Sequence, residues 1–105
     1  MLVRFTPTAL KQLDEICAYI AKDNPSAAIK VRARIEYVAA HFGDNPEMGR
    51  AIFEGRIRWF TVKPYPYLIY YRIRNGEVHI LRIRHGARRR SAFHEPDIEF
   101  VPATF

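Results

Sequence analysis

Apolar residues recur at helical spacing in two successive stretches of the N-terminal half. In the first, Leu10, Leu13, Ile16, Cys17 and Ile20 fall three or four positions apart, while Lys11, Asp14, Glu15 and Lys22 fall off the stripe. In the second, Ala28, Val31, Ile35, Val38 and Phe42 repeat the pattern, with Lys30, Arg32, Arg34 and Glu36 mostly off it. Each stretch opens on a capping residue followed by proline, Thr6-Pro7 and Asn24-Pro25. The cap side chain accepts from free backbone N–H groups, and proline suits the first helical position. Asp23-Asn24-Pro25 also ends the first helix, and Gly43 with Asn45-Pro46 ends the second. So short a connection predicts an antiparallel hairpin of helices. Ahead of it, Leu2 to Phe5 reads as a short strand.

The period then shortens. Ile57–Val62, Tyr67–Arg74 and Val78–His85 are rich in β-branched and aromatic residues. Pro64 and Pro66 mark a turn between the first two runs. Asn75-Gly76 between the last two predicts a two-residue type I′ hairpin. An uninterrupted ladder from that turn sets Ile73 opposite Val78, Tyr71 opposite Ile80 and Ile69 opposite Arg82. On the other face it sets Arg72 opposite His79, Tyr70 opposite Leu81 and Leu68 opposite Ile83. Leu68, Tyr70, Leu81 and Ile83 are then expected to pack on the helices. Arg82 and Arg84 are expected on the opposite face with Ile69, Tyr71 and Ile80. The whole pattern predicts an α+β fold, with a short N-terminal strand and an antiparallel helical hairpin packed on a mainly antiparallel sheet.

Composition narrows the setting. A chain of 105 residues with 49% hydrophobic content supports one core and not two. No apolar run is long enough to span a membrane, and Met1 to Thr6 lacks the apolar region of a signal peptide. The lone Cys17 has no internal disulfide partner, which fits a reducing compartment, and a cytoplasmic protein is expected. Its place in a helical stripe reads as a small packed hydrophobe and not as a nucleophile.

Charge is distributed unevenly. Residues 1–49 hold six Lys/Arg against six Asp/Glu, and residues 50–90 hold eleven against two glutamates. Residues 91–105 carry three acids and no base, so an acidic tail follows a strongly basic sheet half. Such a field favours a polyanion or an acidic protein partner, unless it is only a solvated face.

Recognised catalytic patterns are scarce. His41, His79, His85 and His94 show no metal-ligand spacing with one another or with Cys17, so neither metal nor cofactor is expected. The sequence has no P-loop, dinucleotide fingerprint or nucleophile elbow. What remains is His85-Gly86-Ala87-Arg88-Arg89-Arg90, preceded by Arg82 and Arg84. Arginine offers forked donors to phosphate or carboxylate. Arg56, Arg58 and Lys63 add charge from the first hairpin, and Trp59, Tyr67, Tyr70 and Tyr71 are stacking candidates or sheet core.

Read in order, several segments resemble the RelE/ParE superfamily of type II toxins, on the ParE side. They are the Pro-led first helix with Leu13, Ile16, Tyr19 and Ile20, then Asn24-Pro25 and Ala27-Ala28. Pro46-Glu47-Met48-Gly49-Arg50, Pro66-Tyr67 and Ile69-Tyr70-Tyr71-Arg72 follow. Ile80-Leu81-Arg82-Ile83-Arg84-His85-Gly86-Ala87-Arg88 closes the series. The resemblance covers about residues 2–90 and implies one toxin domain over 1–90, with 91–105 as a tail. It implies a growth-arresting toxin of a plasmid-stabilisation type, neutralised by a cognate DNA-binding antitoxin of ParD type. ParE-like members are associated with DNA gyrase, and RelE-like members cut messenger RNA on the ribosome. For a binding toxin the expected target- or antitoxin-contacting residues are Arg58, Tyr71, Arg82, Arg84, Arg88, Arg89 and Arg90, with none catalytic. For a ribonuclease the candidates are Arg82, His85 and Arg88, since cleavage by a 2′-OH needs acid–base groups and cationic stabilisation. Ribonuclease relatives often carry a Tyr or His near the C-terminus. No Tyr follows Tyr71 here, which tilts the expectation towards gyrase binding. A degenerate toxin that only binds antitoxin is the third reading.

Overall fold

The computed structural model describes residues 1–86; Arg88, Arg89, Arg90 and the acidic stretch 91–105 lie outside them. The chain runs β1 (Leu2–Phe5), α1 (Pro7–Ala21), α2 (Pro25–His41), β2 (Arg50–Ile52), β3 (Ile57–Thr61), β4 (Tyr67–Arg74) and β5 (Glu77–His85). The strands form one sheet in the order β1-β5-β4-β3-β2. β1 lies parallel to β5, and every other pairing is antiparallel.

Both helix starts follow from their caps. Thr6 Oγ1 accepts from Ala9 N at 3.2 Å, and Asn24 Oδ1 accepts from Ala27 N at 3.0 Å. Thr6 also fastens α1 to the sheet. Its N–H donates to Ile80 O at 3.0 Å and its hydroxyl to Leu81 O at 3.3 Å. Beyond β1, Gln12 Oε1 takes the place of a strand partner and accepts from Ile83 N at 2.8 Å. The predicted stripe of α2 is buried throughout, from Ala28 to Phe42. On α1 the inner residues are Ala9 and Leu13, with Ile16, Cys17 and Ile20 partly buried, whereas Leu10 is exposed.

The Asn75-Gly76 turn has positive φ at both residues, 53° and 72°, as a type I′ hairpin requires. Register follows the expected ladder from Ile73/Val78 through Arg72/His79 to Tyr71/Ile80. It then shifts, so that Tyr70 pairs with Arg82, Ile69 with Ile83, Leu68 with Arg84 and Tyr67 with His85. Leu81 is the additional residue of a β-bulge.

The faces are the reverse of those expected, and beyond Leu81 the bulge changes sides again. Ile69, Tyr71, Val78, Ile80 and Ile83 pack with Leu13, Val31, Ile35, Val38 and Phe42 in the core beneath the helices. Leu68, Tyr70 and Leu81 instead join Ile57 on the outer face, with Ile52, Phe53 and Trp59 packed against them. Only Ile83 of the expected helix-facing set reaches the helices, because the extra residue resets the alternation beyond it. Arg82 and Arg84 therefore share a face with Tyr70 and Leu68, not with Ile69 and Tyr71. β2 was not expected either, because three residues are too few to show a period.

Side-chain truncation tests the inward burial of Ile83 against Ile73, which lies at the exposed end of the same side. Ile83→Ala, at 1% exposure, is expected to cost ~2–5 kcal/mol in urea unfolding, and Ile73→Ala, at 40%, less than ~1 kcal/mol. Equal losses would contradict the assignment.

Candidate functional site

The outer face of the sheet carries the basic field. By register, Arg4 lies beside His79, Arg72 opposite His79 and Arg74 opposite Glu77, and the bulge adds Arg82 and Arg84 to the same side. Glu77 is the carboxylate among them. It receives Arg4 Nε at 3.2 and 3.3 Å and lies 3.1 Å from His79 Nε2. The hydrogen bond to His79, followed by Arg4, holds the Glu77 carboxyl below its ordinary value. Arg72 is buried, and burial together with the like charge of Arg74 pushes its guanidinium down from the usual range. A row of arginines is thus held on a sheet face whose apolar floor is Leu68, Tyr70 and Leu81.

A second feature lies at the end of β5. Tyr67 and His85 meet edge to face, with ring centroids 5.7 Å apart. Burial pushes the Tyr67 hydroxyl up from its ordinary value. With Gln12 and Glu15 of α1 and with Arg84, these rings line a cleft of about 180 Å³. The cleft therefore sets a phenol and an imidazole beside Gln12 and Glu15 of α1, group types that proton transfer uses.

The expected site residues separate into three groups. Arg82 and Arg84 lie on the outer face, and His85, opposite Tyr67, is exposed at the end of β5 on the helix-facing side. Arg88, Arg89 and Arg90 fall outside the described residues. Tyr71 does different work from that expected, and Arg58 makes a backbone contact of its own. Tyr71 is fully buried, stacked on Phe42 with centroids 4.0 Å apart. Its hydroxyl donates to Pro46 O at 2.9 Å and accepts from Gly49 N at 2.8 Å. Arg58 Nη1 donates to Gly49 O at 2.8 Å and Glu47 O at 3.3 Å. Both side chains tie the 46–49 segment to the helix-facing side of the sheet, so Tyr71 has no surface to offer a partner. Gly49 is required there, since a Cβ would lie 2.6 Å from the Tyr71 hydroxyl.

The sequence marks Tyr67 as a stacking candidate or sheet core and gives no sign that it meets His85. An even ladder sets Tyr67 opposite Arg84, and only the bulge moves it opposite His85. Gln12 and Glu15 gave no signal, because polar residues on an exposed helix face have no pattern of their own. Among the described residues no cluster of His, Cys, Asp and Glu could hold a metal ion, and no helix is long and apolar enough to cross a membrane.

Comparison with known proteins places this geometry. A family model described as the ParE toxin of the type II toxin–antitoxin system parDE matches residues 3–90. The chain is 43% identical over 87 residues to Y4kP of Sinorhizobium fredii, a protein named as a toxin, covering 80% of this chain and 86% of that one. It is 40% identical over 86 residues to toxin RelE2 of Caulobacter vibrioides, covering 82% and 96%. A solved structure of a chromosomal ParDE toxin–antitoxin system from P. aeruginosa superposes with a TM-score of 0.72 at 25% identity. That match covers 81% of this chain and 95% of the other.

The Glu77 cluster predicts a pH effect with a definite sign. A carboxylate lowered on folding stabilises fully above its ordinary value of 4.5, and that contribution is lost as pH falls through the folded value. The stability difference between wild type and Glu77→Gln, followed by urea unfolding, is expected to be steady near neutrality and to shrink below about pH 4.5. A difference independent of pH would contradict the assignment.

Proposed function

We propose that this chain, which belongs to the ParE toxin family of type II toxin–antitoxin systems, arrests growth by binding DNA gyrase in the cytoplasm and is held inactive by a cognate ParD-like antitoxin. The match to the ParE family model over residues 3–90 carries this reading. The arginine row agrees with it. A binding toxin needs a charged, shaped surface and no set of reacting groups, and Arg82 and Arg84 lie on such a surface. Arginines there meet carboxylates of an acidic segment or phosphates of gyrase-bound DNA through the same forked donors.

A second reading, ribosome-dependent cleavage of messenger RNA, draws on one specific observation. The Tyr67–His85 pair supplies acid–base groups at the end of β5, and one similar protein is named as a RelE toxin. The fold serves either activity, so it does not decide between them.

Induction of the chain alone in a bacterial host distinguishes the readings. The expected outcome is growth arrest with a DNA-damage response and intact transcripts, relieved by the antitoxin. Cut transcripts without DNA breaks would assign the ribonuclease reading instead. Normal growth would leave a chain that retains antitoxin binding alone.

A further inference from the structure

The outer face of the sheet carries no helix, yet its side chains are withdrawn from water. Leu81 is 0% exposed, His79 1% and Arg72 8%. Both helices pack on the other side, and the apolar cluster of this side draws on β2, the turn after it, β3, β4 and β5. Arg84 adds a polar demand. Its Nε is buried and has no hydrogen-bond partner among the described residues. An apolar floor beside a buried guanidinium N–H calls for a layer that is apolar and anionic together.

The chain itself carries such a segment. Residues 95–100 read Glu-Pro-Asp-Ile-Glu-Phe. Extended, they set Glu95, Asp97 and Glu99 along one edge and Pro96, Ile98 and Phe100 along the other. The described chain leaves β5 at Gly86, whose N–H donates to Pro66 O at 2.7 Å, next to the Leu68/Arg84 pair. The stretch from Gly86 to Glu95 reaches up to ~30 Å when extended. The face from Arg84 back to His79 spans about 17 Å. The tether is therefore long enough to turn back and bring residues 95–100 over any part of it.

We propose that residues 95–100 dock on this face as an intramolecular cover, which an anionic partner of the arginine row must displace. Ile98 and Phe100 rest on Leu68, Tyr70 and Leu81. The carboxylates meet the guanidinium groups of Arg82 and Arg84, whose long arms rise past the apolar floor. Tethering selects this occupant. Attached through Gly86, the segment is held at an effective concentration on the order of millimolar before any partner arrives. A second copy of the sheet would bring the same cations to the contact and is repelled. The docking is independent of the gyrase reading, because it belongs to the isolated chain. Its effect on partners rests on the arginine row being a binding surface.

The test is NMR on the full chain. Side-chain protons of Ile98 and Phe100 are expected to contact those of Leu68, Tyr70 and Leu81. In the variant Glu95→Gln/Asp97→Asn/Glu99→Gln these contacts are expected to be lost, while the Tyr71–Ile80 contact within the sheet persists and shows that the fold is kept. Inorganic tripolyphosphate, followed through the amide shifts of Arg82 and Arg84, reports displacement. The variant Ile98→Ser/Phe100→Ser leaves the net charge unchanged and is expected to bind this probe at least ~5-fold more tightly than wild type. Absence of the contacts in wild type, their survival without the carboxylates, or equal probe affinity of wild type and Ile98→Ser/Phe100→Ser would overturn the proposal. So would contacts that arise only between isotopically labelled and unlabelled copies, which would mark an exchange between two chains.

Discussion

One residue inserted into one ladder decides which side every later residue of the last strand takes. Between Tyr71/Ile80 and Tyr70/Arg82 the pairing slips by Leu81, and everything beyond that point in β5 changes sides. Without the slip Ile83 would point away from α1 and α2, leaving Leu13 and its neighbours without a cover at that end. With it, Ile83 enters the main core and Leu81 enters the outer cluster with Ile57, Leu68 and Tyr70. Both are fully or almost fully buried, on opposite sides of the sheet. The bulge thereby lets one strand supply two apolar layers and still deliver arginines to one face.

That arrangement explains how a basic sheet stays folded. Arginines gathered on one face repel each other, and burial of Arg72 adds a desolvation cost. The structure offsets this locally. Glu77 lies between Arg4 and His79, bonded to both. Arg82 and Arg84, partly buried, share that outer face. Elsewhere, cations serve the backbone: Arg58 holds the 46–49 segment and Arg34 holds the turn after β3. Tyr71 completes the first of these contacts from inside the core. The family to which the chain belongs is therefore realised here as a sheet with its arginine row on the outer side and the Tyr71–Phe42 stack on the inner side.

Much of the fold was legible in the sequence because it rests on local rules. Thr6-Pro7 and Asn24-Pro25 state where helices begin, the Ala28-to-Phe42 stripe states which side of α2 is buried, and Asn75-Gly76 states where β4 turns into β5. The face assignment was not legible. β4 and β5 are apolar on both sides, so alternation marks two buried faces without saying which meets the helices. A bulge has no necessary sequence mark when its extra residue is a leucine. The same gap hid the Tyr67–His85 pair, which exists only in the shifted register. Tyr71 was misread for a related reason, because a tyrosine in a strand looks the same whether its hydroxyl reaches solvent or the backbone of a distant loop.

The account therefore rests most directly on the register between β4 and β5. Cross-strand proton contacts measured by NMR on the full chain test it without any substitution. The expected pattern is Tyr71 with Ile80, followed by Tyr70 with Arg82, Ile69 with Ile83 and Tyr67 with His85. Contacts of Tyr70 with Leu81 and of Leu68 with Ile83 would show an unbroken ladder. They would place Arg82 and Arg84 on the helix side and contradict the arginine face.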